Sequence, residues 1–264
     1  KVKLYEMKPV KFSPAHSNEN LAEIVCSNSF KSNLLTNACG LLKEELRMLD
    51  SLLIRIADEN SVPAGQALAV DREIFAQRIT EKIEENPNIE IVKKEVTEIN
   101  LDEINIIATG PLTSDELFKN ISKIIGNEEL HFYDAAAPII EKDSIDMNIA
   151  FIGDRYGKGE ADYINLPMNK EEYESFWNEL VNAEIVELHE FEKREIFEGC
   201  MPVEVMAKRG IDTLRYGPLK PVGFDDPRTG KRPYALVQLR QDNTAGTIYK
   251  VWRTKKNFFY DTWT

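Results

Sequence analysis

Apolar and polar positions alternate at once in this chain. Lys1-Val2-Lys3-Leu4-Tyr5-Glu6 reads as a half-buried strand ending in an acid, and Lys8-Pro9 breaks the pattern. Residues 12–37 are rich in Ser, Asn and Pro with short apolar pieces, so a long irregular segment is expected. From Leu41 the spacing turns helical, with Leu42, Leu46, Leu49, Leu53 and Ile56 on one face. A second helix is expected from about Arg72 to Glu85, with Ile74 or Phe75, Ile79 and Ile83 inward and Asn86-Pro87 as its stop. Ile89 to Ile99 alternates and reads as strand, including Val96, and Ile104 to Ala108 reads as a short buried strand before Thr109-Gly110-Pro111. Thr113 and Glu116 have capping-box spacing for a helix carrying Leu117, Ile121, Ile124 and Ile125.

Further on, His131 to Ile140 and Met147 to Arg155 are strand candidates, the second running into Tyr156-Gly157-Lys158-Gly159. Lys170 to Ala183 predicts a helix whose stripe of Tyr173, Phe176, Trp177, Leu180 and Val181 suits a core better than a ligand platform. Residues 210–233, rich in Gly and Pro, read as turns, and Tyr234 to Leu239 as a strand.

Composition narrows the classes. Of the 264 residues, 42% are hydrophobic and 30% charged, which is globular usage, and no apolar run reaches the ~18 residues of a membrane span. The formal charge of −12 is uneven: residues 208–256 carry 12 Lys and Arg against 4 Asp and Glu, leaving 21 against 41 elsewhere. A basic C-terminal third can face phosphates, or be a merely solvated face. Cys26, Cys39 and Cys200 are too widely spaced for a metal or redox pair and read as reduced thiols in a cytoplasmic setting. His16, His131 and His189 have no metal-ligand spacing, so no metal is expected. Neither G-x-S-x-G nor a Walker loop occurs.

Three features carry candidate chemistry. A strand ending in Glu6 matches the second strand of a dinucleotide-binding unit, whose terminal acid binds the ribose hydroxyls. A strand ending Ala108-Thr109-Gly110 lets backbone pass close to a cofactor. Cys26, among small polar neighbours, and Cys200, between Gly199 and Met201-Pro202, read as reachable loop thiols, whereas Cys39 beside Gly40 reads as a core filler.

Long strings sharpen this. Val2 to Pro9 (VKLYEMKP), Pro14-Ala15-His16, Val25 to Asn37 (VCSNSFKSNLLTN), Ala69-Val70-Asp71-Arg72, Ile106 to Ser114 (IIATGPLTS), Phe132 to Pro138 (FYDAAAP), Phe197 to Glu204 (FEGCMPVE), Arg209 to Gly223 (RGIDTLRYGPLKPVG) and Gln238 to Tyr249 (QLRQDNTAGTIY) together resemble the flavin- and folate-dependent tRNA (uracil-5-)-methyltransferases, over residues 1–250. The resemblance implies an α/β fold: a Rossmann-like FAD-binding domain of glutathione-reductase type, incomplete here, with an α+β insertion domain. The expected division is 1–114 partial FAD domain, 115–233 insertion, and 234–264 the start of the return with an aberrant tail.

The family's reaction makes 5-methyluridine in the T loop of tRNA, with FAD as cofactor and methylenetetrahydrofolate and NADPH or NADH as co-substrates. Carried over by residue, Cys26 and Cys200 match the cysteines implicated in catalysis, with the nucleophile left unassigned between them. Glu6 matches the ribose-binding acid, Ala108, Thr109 and Gly110 the strand end beside FAD, and Val96 the backbone contact to adenine. Lys208, Arg209, Arg215, Lys220 and Arg240 then read as tRNA-facing, with the T arm as partner and no membrane.

Two departures set further expectations. The family's glycine-rich FAD loop does not occur in residues 1–264, so a lost first strand and self-association through the open edge are expected. After Tyr249 the resemblance stops. The family's Gly-Glu-Gln-Lys-Arg run, read one base out, gives Trp252-Arg253-Thr254-Lys255-Lys256, which suggests a reading-frame slip. Two other readings stay open: a related flavoprotein acting on another tRNA position, and a non-catalytic RNA- or protein-binding remnant.

Overall fold

The computed structural model describes residues 1–13, 15–126, 138–157, 162–183 and 201–251. Its architecture is mixed α/β. The first strand, β1 (Val2–Glu6), leads into an irregular segment that returns as β2 (Ser29–Ser32). Helices α1 (Ala38–Met48) and α2 (Leu52–Glu59) follow, then β3 (Ser61–Val62), β4 (Ala67–Val70), α3 (Arg72–Glu84) and β5 (Ile89–Lys93). β1 and β5 pair in parallel, from Val2 opposite Ile89 to Glu6 opposite Lys93, while β2, β4 and β3 form an antiparallel sheet in that order. Both sheets share one core: Ile56, Leu68, Val70, Phe75 and Ile79 are buried together, with Leu4 and Ile91 of the parallel pair packed on them.

The long irregular segment is ordered by polar contacts rather than periodicity. Lys8 is 2% exposed, and its amine donates to Asn20 O (2.5 Å) and to Glu23 Oε2 (3.2 Å). Burial works to raise the Glu23 carboxyl, but hydrogen bonds from Ser17, Lys8 and Asn18 outweigh it and hold the group below its usual range.

Of the strand expected over Met147 to Arg155 only Phe151–Ile152 forms, and residues 131–137 of the strand expected before it lie outside the described residues. Expectation and structure part in four further places. The single helix from Leu41 is two, because Asp50 is left-handed (φ 53°) between α1 and α2. Its stripe is buried only at its end: Leu42, Leu49 and Leu53 are exposed, Leu46 is half-buried and Ile56 is buried as expected, while Gly40 and Lys43 of α1 and Ile54 and Ala57 of α2 are buried in their place. The cause is a close approach. A Cβ on Gly40 would lie 1.9 Å from Leu34 O, and the Lys43 amine donates to Phe30 O (2.8 Å) and Cys39 O (2.7 Å), which fixes the helix rotation.

Second, residues 104–108 form no strand, and Ile104 is 99% and Ile106 90% exposed. An apolar run is buried on both faces only inside a sheet, and among the described residues the parallel sheet holds β1 and β5 alone. Third, strand pairing ends at Lys93, so Val96 lies half-buried in irregular chain. Fourth, α4 (Asp115–Ile125) starts on Ser114 without a side-chain cap. Thr113 Oγ1 instead donates to Gly110 O (2.8 Å), and Glu116 accepts from Lys11 (3.0 Å), so no capping box closes there.

The larger sheet comprises β6 (Ile139–Glu141), β7 (Phe151–Ile152), β8 (Tyr163–Met168), β9 (Ala235–Gln241) and β10 (Ile248–Val251). It is antiparallel in the order β6-β10-β9-β8-β7. Helices α5 (Lys170–Asn182), α6 (Val203–Lys208) and α7 (Thr213–Tyr216) accompany it. Strand alternation sorts its faces. Ile164, Val237, Leu239, Tyr249 and Val251 share a core with Tyr173 and Leu180 of α5, as the aromatic stripe predicts, and Asn169 with Glu172 closes a capping box at that helix start. The opposite face carries Tyr163, Asn165, Gln238, Arg240 and Lys250. The division expected at 233/234 falls between β8 and β9, which pair from Tyr163 opposite Arg240 to Met168 opposite Ala235. Residues 235–251 thus complete the sheet begun at 139–168.

Candidate functional site

The polar face of the large sheet meets the Cys26 loop, and charged and amide groups from both sides interlock there. Asn28 is fully buried, and its Nδ2 donates to Val70 O (3.0 Å) and to Gln241 O (3.2 Å), tying β4 to β9. Asp71 caps α3 with one oxygen, accepting from Ile74 N (3.1 Å). Its other oxygen accepts from the Thr244 N–H (2.8 Å) and hydroxyl (3.1 Å). Arg72 Nε (3.0 Å) and Nη2 both donate to Oδ2 of Asp242, a charge-assisted contact that converges on one carboxylate oxygen.

Register sets a row across three strands: Tyr163 lies opposite Arg240, and Arg240 opposite Lys250. Arg240 is 1% exposed; its Nη2 donates to Tyr163 O–H (3.0 Å), which donates to Ala64 O (3.0 Å). Lys250 is 2% exposed and its amine donates to Ser27 Oγ (3.0 Å), the residue after Cys26. Burial pushes the Lys250 amine down to about 7, with Arg72 and Arg240 adding to the shift and Asp242 and Cys26 opposing it. Cys26, the residue before Ser27, is a free, half-buried thiol.

Beside this seam lies an open cleft of about 690 Å³, bordered by Ser27, Ser29, Lys31, Gly65, Tyr163 and Arg240. A second of about 460 Å³ adjoins it, and Asp154 and Tyr156 border both.

The cofactor-side expectations fall away from this seam, with Glu6 at one end of the parallel pair. Glu6 ends β1 half-buried, and one of its carboxylate oxygens accepts the Lys8 N–H (3.0 Å). Lys11 bridges Glu95 (2.7 Å) and Glu116 (3.0 Å), drawing the chain beside Val96 and the start of α4 toward the end of β1. Ala108, Thr109 and Gly110 precede α4 as exposed chain, with Thr109 Oγ1 2.6 Å from Thr113 Oγ1 and Gly110 at φ 66°.

Cys200 lies outside the described residues. Cys39 is half-buried like Cys26, not a closed core filler, and its N–H donates to Asn37 Oδ1 (3.0 Å) in the first turn of α1. Among the expected RNA-facing residues, Lys208, Arg209 and Lys220 are exposed. Arg215 is half-buried, 4.2 Å over the Tyr234 ring and donating to Tyr234 O (3.2 Å). Arg240 is buried in the seam and does not face solvent, because both faces of β9 are covered. Sequence reading missed Asn28, Asp71, Arg72, Asp242 and Lys250. A cap-type residue before a helix (Asp71) and charges inside apolar strands (Arg240, Lys250) were the available signals.

Fold and site define a mixed α/β protein whose cysteine-bearing loop is held between two sheets by buried hydrogen bonds, beside one Arg72–Asp242 ion pair. The chain belongs to the glucose inhibited division protein A family, whose sequence model matches residues 1–262. It is 62% identical over 251 residues to a methylenetetrahydrofolate–tRNA-(uracil-5-)-methyltransferase of Acetivibrio thermocellus, a match covering 95% of this chain and 58% of that protein. Proteins of the same name from Ligilactobacillus salivarius and Caldicellulosiruptor bescii are 58% and 60% identical, again over 95% of this chain and 57% and 58% of theirs. The chain thus spans somewhat over half the length of the relatives it matches.

Proposed function

We propose that this chain is part of a flavin- and folate-dependent tRNA methyltransferase that places a methyl group on carbon 5 of the T-loop uridine. The observation that carries the reading is the 62% identity along 95% of the chain with a relative named for that reaction. The Cys26 loop fits it chemically. Carbon 5 of uracil is a weak nucleophile until a thiolate adds at carbon 6, which turns the ring into an enolate equivalent able to attack an electrophilic methylene. Asn28 pins the Cys26 loop to β4 and β9. Of Cys26 and Cys200, one adds to uracil and the other guards the flavin or acts as a base, so both are needed for turnover.

The end of a Rossmann-like FAD domain fits residues 1–114 in part. Glu6 at a parallel strand end suits the ribose hydroxyls, and Val96 and Ala108 to Gly110 are the further candidates for contact with FAD. No G-x-G-x-x-G stretch occurs in residues 1–264 to hold the pyrophosphate. Bound FAD, reduced by NADPH or NADH, supplies the reducing equivalents that methylenetetrahydrofolate needs to yield a methyl group. Exposed Lys208, Arg209 and Lys220 supply sequence-independent phosphate attraction for the T arm.

The test joins residues 1–249 to the flanking segments of the Acetivibrio thermocellus relative. Absorbance in the flavin bands and methyl transfer to a T-arm transcript are the expected results. Failure to methylate with flavin bound would remove the reading.

A further inference from the structure

Tyr156 is held in a conformation that bulky residues rarely adopt. Its backbone is left-handed (φ 62°, ψ 20°), in a glycine-bearing stretch that the proposed reaction leaves unused. Its N–H donates to Gly223 O (2.7 Å), and its ring occupies the space a side chain at Gly223 would need. A Cβ there would lie 3.0 Å from one ring carbon and 2.7 Å from Arg155 Cγ. Arg155 is anchored in turn, donating to Val222 O and Lys220 O and lying 5.1 Å from the centre of the Phe224 ring. Despite this anchoring, Tyr156 is 63% exposed. It borders both clefts, as does the buried Asp154. Exposed Lys31 borders the larger, and exposed Arg232, beside Asp225, the smaller.

We infer that Tyr156 is a stacking platform for one unpaired base of an RNA loop, with the clefts on either side receiving the adjoining ribose-phosphates. The inference rests on the tRNA reading above. A largely exposed aromatic ring on an anchored backbone suits any base. Cations on both sides suit the phosphates that precede and follow it, and Ser27, Ser29 and Ser32 offer hydroxyls to a ribose in the larger cleft. A double-stranded stem, whose bases stay stacked, cannot use the ring.

The test uses the 264-residue protein and a T-arm stem-loop RNA carrying 2-aminopurine in the loop, with a blunt duplex of the same stem as control. Binding should quench the probe. Tyr156→Ala should abolish the quench and weaken loop binding about 5- to 150-fold, leaving duplex binding unchanged, while Tyr156→Phe keeps both. Tyr156→Gly, which relieves the left-handed backbone and so retains the fold, should match Tyr156→Ala. If the protein binds the stem-loop but the Ala and Gly variants bind and quench like the parent, the platform is refuted and the tRNA reading survives. If the parent binds neither RNA, the platform falls, while the tRNA reading is judged by methyl transfer in the completed protein. Loss of the quench on adding folic acid would assign the ring to a pterin and overturn the inference.

Discussion

Replacing Lys250 with Met should change how stability depends on pH. The Lys250 amine is 2% exposed, and burial brings it down to about 7 from the 10.5 of a free lysine. Below pH 7 the native and unfolded chains both hold this proton, and the group adds no slope. Between pH 7 and about 10.5 the unfolded chain holds the proton and the native chain does not. The unfolded state then binds more protons, so native stability rises with pH. Each pH unit in that window is worth about 1.4 kcal/mol at most, so the gain from pH 7 to 9 is roughly 2 kcal/mol.

Lys250→Met conserves much of the side-chain volume and removes the proton, so this component of the slope should vanish. Urea unfolding followed by far-ultraviolet circular dichroism at pH 7, 8 and 9, on parent and variant, isolates it, because other groups titrating in the window are common to both. Stability curves that run parallel with pH would refute the assignment of a depressed lysine to the seam.

Gly40→Ala should destabilise the protein by at least about 2–3 kcal/mol, because the added methyl meets the Leu34 carbonyl at 1.9 Å, backbone against backbone; a urea midpoint within error of the parent would contradict the packing of α1. In protein completed with the relative's segments, Glu6→Ala should weaken FAD binding by about 10- to 150-fold, the worth of hydrogen bonds to a charged group. Flavin absorbance on titration reads this, and unchanged affinity would remove Glu6 from the ribose site.

What was legible in the sequence follows from how local each signal is. β1, α3, α5 and β9 come from apolar spacing whose partners lie in the same elements, and all four form where the pattern predicts. Residues 104–108 and the Leu42–Leu53 stripe failed because burial needs a surface elsewhere. The first run has no neighbouring strand among the described residues, and the second is turned outward by Gly40 and Lys43. The cysteine loop was visible as a string, but the contacts that hold it were not. Asn28 reaches Gln241, Arg72 reaches Asp242, and Lys250 reaches Ser27 across sequence separations that no periodicity encodes. Arg240 was misread for the same reason: a basic residue in a basic third suggests a surface, whereas its strand is covered on both faces.

The proposed thiol chemistry is tested most directly by methyl transfer to a T-loop transcript with methylenetetrahydrofolate and NADPH. The enzyme is residues 1–249 completed with the Acetivibrio thermocellus segments, and Cys26→Ala, Cys39→Ala and Cys200→Ala are compared at matched flavin content. Turnover should be abolished in the Cys26 and Cys200 variants and largely kept in the Cys39 variant, because only a thiol that reaches carbon 6 of uracil can activate carbon 5. Near-normal rates in both the Cys26 and Cys200 variants would contradict the account and return both thiols to a structural role.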